Sequence, residues 1–161
     1  MSEQAPEARL QPSRLQDGVG GGCSDDAAPR RLVEVDEVEA LRLLGSVRLG
    51  RVVFTRDALP AIRLVSHVLD HGRLIFRPDV GSTLSAISGT RGQGSVVAYE
   101  ADSIDSGTRR GWSVAVVGRA VPFTDPESAG RYDTLCAPWV ESAGEDLLCI
   151  RPDLISGHRF V

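Results

Sequence analysis

The chain has 161 residues, a formal net charge of −4 at pH 7, and a composition that is 42% hydrophobic but only 5% aromatic. That length gives room for one domain with its own core, which must be mainly aliphatic. All 18 basic residues are arginine, so reactions that need a lysine Schiff base or the lysine of a P-loop are excluded. The negative charge and the lack of a concentrated basic patch argue against nucleic acid as the main partner.

Residues Met1–Arg30 are rich in glycine, serine, proline and charge, a composition that predicts a disordered tail because it has little to bury. The domain is predicted to span 31–161. Its first element is a short amphipathic helix over Asp36–Leu44, since Asp36 and Glu39 resemble a capping box and apolar residues follow at helical spacing. Gly45 is expected to end this helix.

Seven segments rich in apolar and β-branched residues are predicted strands. They are Leu49–Thr55, Ala61–Leu69, Arg73–Arg77, Ser95–Ala101, Trp112–Phe123, Leu147–Arg151 and Gly157–Val161. Gly72 predicts a hairpin turn with positive φ, and Gly118 predicts a bulge or bend. The polar stretch Asp102–Gly111 is predicted to be a loop, and Pro152–Ser156 a turn between the last two strands.

Two further helices are predicted between strands. One begins at Ser82 and runs to about Ser88, where glycines follow. The other begins at Asp125, has Pro126 in its first turn, and ends near Cys136.

These elements favour a mainly β fold, because tight turns between consecutive strands imply antiparallel pairing. An antiparallel barrel with peripheral helices is the simplest arrangement. The strands Ala61–Leu69 and Trp112–Val121 are apolar on both faces, which predicts that a second copy of the chain covers part of the outer wall.

The cysteines are Cys23, Cys136 and Cys149, and only three histidines accompany them. They form no Cys-x-x-Cys pair, so neither a disulfide framework nor a structural zinc site is expected. We predict free thiols in a reducing cytoplasm, and no metal. No apolar run is long enough to span a membrane, and the N-terminus lacks the apolar segment of a secretory signal.

The segment after Arg73–Arg77 has the parts of a phosphate site. Gly81 allows close approach of the backbone, Ser82 is a good helix N-cap, Thr83 adds a hydroxyl group, and Arg77 adds a charge. The alternative is that Arg77 is a surface strand residue and Ser82 only a cap. Local chemistry leaves both interpretations open.

Six segments in order along the chain resemble one family. They are Leu43–Phe54, Pro60–Arg77, Gly81–Ile87, Val96–Asp102, Gly111–Ala120 and Ile150–Phe160. Together they resemble the pyridoxamine 5′-phosphate oxidase-like flavin-binding split barrels, in the actinobacterial branch related to the nitroimidazole reductases. The resemblance covers about residues 30–161.

The resemblance implies a homodimeric, six-stranded, antiparallel Greek-key split barrel with flavin mononucleotide (FMN) in a groove between two subunits. It also implies a set of cofactor-binding residues. These are Arg77, Ser82 and Thr83 at the phosphate, Val65, Ser66 and His67 along the ring, and Trp112 and Ser113 approaching the ring from the other subunit. Leu84 is a further expected cofactor-binding residue. For His67 the alternative is a strand histidine hydrogen-bonded within the barrel, and for Trp112 it is a core residue. No catalytic side chain is expected.

By this resemblance the function is that of a flavin-dependent oxidoreductase with an unidentified small-molecule substrate. A nicotinamide nucleotide or a reduced flavin would supply electrons. One alternative is a deazaflavin-dependent reductase of the same fold. Another is a non-catalytic flavin-binding or stress protein, because Ser66 and Thr83 stand where relatives often carry asparagine and lysine.

Overall fold

The computed structural model describes residues 29–78, 87, 94–136 and 146–161. The described part of the chain is mainly β, as predicted. Its elements are β1 (Leu32–Val35), α1 (Glu37–Leu44), β2 (Leu49–Arg56), β3 (Leu59–Asp70), β4 (Arg73–Phe76), β5 (Ser95–Asp105), β6 (Arg110–Pro122), α2 (Pro126–Leu135) and β7 (Leu148–Phe160). Neither of these helices is long and apolar enough to cross a membrane.

The strands form a closed antiparallel barrel in the order β7-β4-β3-β2-β5-β6, and β6 pairs back onto β7. One edge of β7 pairs with β6 along its whole length. The other edge is shared, because Leu148–Ile150 pair with β4 and Gly157–Phe160 pair with β1. The six-stranded split barrel predicted from the sequence is therefore confirmed.

The prediction of two separate strands at the C-terminus is wrong. β7 is one strand of 13 residues that absorbs Pro152 in a bulge, where the register passes from Val117↔Leu154 to Gly118↔Pro152. The bulge predicted at Gly118 is confirmed, and glycine is required there since a Cβ atom would lie 2.1 Å from the carbonyl oxygen of Arg151. Only glycine allows the two backbones to approach this closely.

Three other predictions about the strands need correction. The stretch Asp102–Gly111 is not a loop. β5 continues to Asp105 and β6 begins at Arg110, so only a tight turn separates the two strands. β2 and β3 are also longer than predicted. Their pairing continues to Arg56 and Leu59, and a two-residue turn at Asp57-Ala58 joins them. The strand β1 was not predicted; it has only four residues, and all of them pair with β7.

Local signals at helix and turn ends are confirmed. Asp36 Oδ1 accepts a hydrogen bond from Glu39 N at 2.8 Å, and Asp125 caps α2 in the same way. Gly45 ends α1, but its φ of −70° lies in the right-handed region, so its conformational freedom is not used. The hairpin turn has φ values of +48° at His71 and +72° at Gly72. The predicted tail up to Ala28 and the predicted helix from Ser82, apart from the buried helical residue Ile87, lie outside the described residues.

Two hydrophobic clusters hold the fold together. The larger fills the barrel with mainly aliphatic side chains from α1 and from β2 to β7, together with the aromatic rings of Phe76, Tyr99 and Trp112, and Val35 of β1 packs against it. The smaller lies on the outer face beneath α2, around Ile75 and Tyr132. Each fully buried aliphatic side chain of this kind contributes about 1.5–3 kcal/mol of hydrophobic free energy. The smaller cluster therefore attaches α2 firmly to the barrel wall.

Candidate functional site

A pocket of about 210 Å³ lies between three elements, and we call it the β3 pocket. The connection after α1 contributes Gly45, Val47 and Arg48, the end of β3 contributes His67–Leu69, and the end of α2 contributes Leu135. It includes part of the strand that the sequence assigned to a flavin ring.

The pocket exists because β3 loses its strand neighbour at this point. The β2–β3 pairing ends where Leu49 faces Ser66. The next bond on that edge joins His67 N to the carbonyl oxygen of Arg48 at 2.9 Å, and the chain then turns away towards α1. A strand edge beside a cavity can offer backbone N–H and C=O groups to a ligand.

Two arginines converge on the carboxyl end of α2, next to the pocket. Arg48 Nη1 lies 3.4 Å from the carbonyl oxygen of Leu135, and Arg77 Nε donates to the carbonyl oxygen of Cys136 at 3.3 Å. The last carbonyls of a helix lack intrahelical donors and carry partial negative charge, so guanidinium groups are favourable there. Arg77 is only 8% exposed. It is therefore not the surface strand residue of the simpler interpretation, and it brings positive charge into a region of low dielectric.

His67 is held by both of its ring nitrogens inside the barrel. Nε2 lies 3.0 Å from the carbonyl oxygen of Leu44, and Nδ1 lies 2.6 Å from the Tyr99 hydroxyl. A carbonyl oxygen can only accept, so Nε2 carries the proton and Nδ1 accepts from Tyr99. Burial lowers the pKa of His67, and the nearby positive charge of Arg48 lowers it further. The hydrogen bond to the carbonyl oxygen of Leu44 raises this pKa, but the effect of burial is larger. Burial also raises the pKa of Tyr99, so its hydroxyl keeps its proton. The imidazole is thus neutral and matches the barrel-internal alternative.

The remaining described candidates divide between the two faces of the sheet. Val65 and Trp112 point into the barrel and belong to the core. Ser66 is buried on the opposite face of β3 from its neighbours, as strand alternation requires. Ser113 is half-buried on the outer face of β6, between Asp102 and His158 in the ladder. The structure brings His67 to the β3 pocket, whereas neither residue of β6 lines it.

Ser82, Thr83 and Leu84 lie outside the described residues. Two participants were missed at the sequence level. Tyr99 alternates with Val97 and Ala101, so its inward orientation was readable from the strand pattern. Arg48 sits in a connection with no local signal. No group of three or more potential metal-ligating side chains occurs among the described residues.

Comparison with known proteins identifies the family. The sequence profile of the family described as pyridoxamine 5′-phosphate oxidase matches residues 36–159. An uncharacterised protein of Mycobacterium tuberculosis is 48% identical over 143 residues, which are 88% of this chain and 94% of that protein. This chain belongs to the pyridoxamine 5′-phosphate oxidase-like family.

Solved structures agree with this assignment. A proposed pyridoxamine 5′-phosphate oxidase from Corynebacterium glutamicum is 30% identical, with a TM-score of 0.67 over 81% of this chain and 99% of that one. An FAD binding protein from Mycobacterium smegmatis is 28% identical, with a TM-score of 0.59 over 81% of this chain and 100% of that one. A proposed 5-nitroimidazole antibiotic resistance protein from Bacteroides thetaiotaomicron, at 11% identity and a TM-score of 0.60 over 83% and 90% of the two chains, shares the fold.

Proposed function

We propose that this chain is a flavin-dependent oxidoreductase that uses FMN and acts on a small molecule. The observation that carries the proposal is the β3 pocket, where an open strand edge lies beside two arginines at the end of α2. A flavin needs hydrogen-bonding groups along its ring and positive charge at its phosphate, and this arrangement supplies both kinds of group. The M. smegmatis relative binds FAD, which makes the dinucleotide the first alternative cofactor.

The phosphate end of the cofactor is assigned to Arg77 with Ser82 and Thr83, and Leu84 is assigned to the cofactor site without a specific contact. Arg77 has the buried position from which a guanidinium group pairs most strongly with phosphate, because solvent screening is weak there. The ring is assigned to the strand segment Val65–His67. Bound flavin supplies the redox chemistry, and this chain binds it, orients it and excludes water. No side chain is assigned a catalytic role.

A second copy of the chain is part of the proposal. Pockets that enclose a drug-sized ligand are typically about 300–1,000 Å³, whereas the β3 pocket is about 210 Å³. The remaining wall is assigned to the second copy. Ser113 has the outward orientation needed to reach across an interface, while Trp112 points into its own barrel.

The surface for that second copy is an apolar stripe across five strands. In the ladder, five apolar residues follow one another on the outer face: Ile62, Val53, Ala98, Val117 and Leu154. Ile62 and Leu154, at its two ends, are 58% and 62% exposed. Beside the stripe, Arg51 contacts Glu100 at 3.0 Å and Asp102 at 2.8 Å. A surface with both signs of charge around an apolar centre suits a twofold interface, where the same patch meets itself.

The cofactor is tested on the purified protein by its visible spectrum and by chromatography of the material released on denaturation. The proposal expects a yellow protein that releases FMN. Release of FAD would show that the cofactor is the dinucleotide and not FMN. Uptake of deazaflavin alone would favour the deazaflavin-dependent reductase. A folded protein that binds none of the three would refute a flavin function.

The phosphate assignment is tested with Arg77→Ala combined with Ser82→Ala. This variant should lose flavin retention and keep its oligomeric state. Arg110→Gln is a matched control, because it removes an exposed arginine at the far end of β6. Equal flavin retention in the double variant and the control would refute the phosphate site.

The dimer is tested by substituting the exposed ends of the apolar stripe. Ile62→Glu with Leu154→Glu should convert a dimer into monomers in analytical ultracentrifugation, since charge cannot be buried there without a partner. Val38→Glu is the control, because Val38 is 78% exposed on α1. A dimer that survives the double substitution would exclude the stripe as the interface.

The electron donor is proposed to be a nicotinamide nucleotide or a reduced flavin, and the compartment to be the cytoplasm. The two cysteines in the described residues, Cys136 and Cys149, are buried free thiols, which fits a reducing compartment. Stopped-flow mixing of the flavin-loaded protein with each donor tests the first point. If neither donor reduces the bound flavin, the protein binds flavin but does not catalyse this reaction.

A further inference from the structure

Arginines form a row across three neighbouring strands on the outer face of the barrel. Arg119 of β6 faces Arg151 of β7 in the ladder. On the other side of β7, Leu74 faces Ile150, so the next step of the antiparallel register brings Arg73 of β4 opposite Arg151. Like charges directly opposite each other on adjacent strands are destabilising. A row of this kind therefore needs a compensating feature.

No carboxylate of the described residues forms an ion pair with Arg73 or Arg151. Asp125 is nearby, but it serves as the N-cap of α2. Its Oδ1 accepts from Glu127 N at 3.1 Å, and its Oδ2 accepts from the Ser128 hydroxyl at 2.7 Å. The Asp125 carboxylate interacts favourably with Arg73, but one carboxylate beside two guanidinium groups leaves Arg73 and Arg151 with a net positive charge.

A second pocket, of about 100 Å³, lies at this row, and we call it the α2-start pocket. Arg73 and Arg151 line it together with Thr124 and Asp125 at the start of α2 and with Cys149. Burial raises the pKa of the Cys149 thiol, and the positive charges of Arg73 and Arg151 oppose that rise. The polar residues that line this small cavity are therefore two arginines, one threonine and one aspartate.

The size and charge of the cavity select the ligand. Two guanidinium groups from different strands can each bind phosphate through paired N–H donors. The volume is about half that of the β3 pocket. It is large enough for one anionic group but too small to hold a ring system as well. We propose that the α2-start pocket binds the phosphate group of a small phosphorylated molecule, with Arg73 and Arg151 as its ligands and Thr124 as a further donor.

This site is separate from the proposed flavin site. Leu135, at the end of α2, lines the β3 pocket, and Thr124, just before its start, lines the α2-start pocket. The ten residues of the helix span about 15 Å. A ligand in one pocket therefore leaves the other open, and the two sites can be tested independently.

Inorganic phosphate is the probe, titrated into the ¹⁵N-labelled protein at constant ionic strength. Saturable amide shifts are expected at Thr124, Cys149 and Arg151, separate from any shifts at His67–Leu69. Arg73→Gln and Arg151→Gln should each weaken this binding about tenfold, as loss of a charge-assisted hydrogen bond does. Arg110→Gln is the matched control and should bind like the unaltered protein.

Asp125→Asn provides the opposite test. Asparagine is as good an N-cap as aspartate, so α2 is preserved while a negative charge beside the anion is removed. Phosphate affinity should rise in this variant by a few-fold. Both arginine variants should fold, since each relieves like-charge repulsion in the free protein.

The outcomes are decisive for the site. Weaker binding in both arginine variants, with tighter binding in Asp125→Asn, supports it. The absence of saturable shifts at Cys149 and Arg151, or equal affinity in Arg73→Gln, Arg151→Gln and Arg110→Gln, overturns it. Neither result depends on whether the β3 pocket binds flavin.

Discussion

Replacing Tyr99 by phenylalanine tests the central polar contact of the barrel. The Tyr99 hydroxyl donates to Nδ1 of His67 at 2.6 Å, and His67 is 1% exposed. Phenylalanine retains the ring, which also packs edge-on against the imidazole with 5.2 Å between ring centroids. The substitution therefore removes one hydrogen bond and leaves the apolar packing almost unchanged.

The expected cost follows from what remains behind. Nδ1 would be a buried acceptor with no donor, because the hydroxyl is packed against Gly50 so closely that a Cβ there would lie 2.1 Å from it. Leaving such a group unsatisfied costs about 1–3 kcal/mol. We expect the free energy of unfolding to fall by about 2 kcal/mol, which for a domain of this size lowers Tm by roughly 6–10 °C.

Urea unfolding followed by circular dichroism measures the change, and a double-mutant cycle assigns it to the pair. In a His67→Leu background the Tyr99 hydroxyl has lost its acceptor, so Tyr99→Phe should be neutral or stabilising there. The coupling free energy should thus be about 2 kcal/mol or slightly more, within the range for residues in direct contact. A cost below about 0.5 kcal/mol, a surface-like value, or the same cost in both backgrounds, would refute the assignment of Nδ1 as the acceptor.

Three further predictions concern stability. Burial lowers the pKa of His67 below its ordinary value of 6.5, so the unfolded chain takes up this proton first. The free energy of unfolding should then be constant above pH 7 and should fall by up to about 1.4 kcal/mol per pH unit below pH 6.5. Urea unfolding at several pH values measures this slope, which should be absent in His67→Gln. Ala58 has a φ of +62°, so Ala58→Gly should raise the free energy of unfolding by up to about 1 kcal/mol, and no gain would mean that the turn holds alanine without strain. Asp36→Ala should lower the free energy of unfolding by about 1 kcal/mol because the helix loses its N-cap, whereas Asp36→Asn should leave it unchanged. Equal losses in the two variants would show that the charge of Asp36 matters and not its capping hydrogen bond.

The strands and helix ends of the barrel were accessible from the sequence because their signals are local. Alternating apolar strands, the Gly72 turn and the two aspartate caps each depend on a few adjacent residues, and each is present where it was predicted. Their order along the chain indicated an antiparallel barrel, and the resemblance of six segments to a known family indicated the split barrel. The sequence also selected β3, the strand that borders the β3 pocket.

The partners of the site residues depended on the tertiary structure. The acceptor and donor of His67 come from Leu44 and Tyr99, which are 23 and 32 positions away, and no local pattern specifies such pairs. Likewise, the carbonyl oxygen that Arg77 contacts belongs to Cys136, at the end of α2.

Register gave a second class of features that the sequence could not supply. Proline at 152 predicts the end of a strand, yet β7 continues because a bulge opposite Gly118 removes the need for its missing N–H. The same register brings Arg73, Arg151 and Arg119 into one row from three distant segments. The sequence by itself indicated the positions of β2 to β6 and of both ends of β7, because apolar and β-branched residues cluster in each of these segments. Only the closure of the barrel decided which charges, carbonyls and rings meet, because side chains on different strands become neighbours through pairing and not through their separation along the chain.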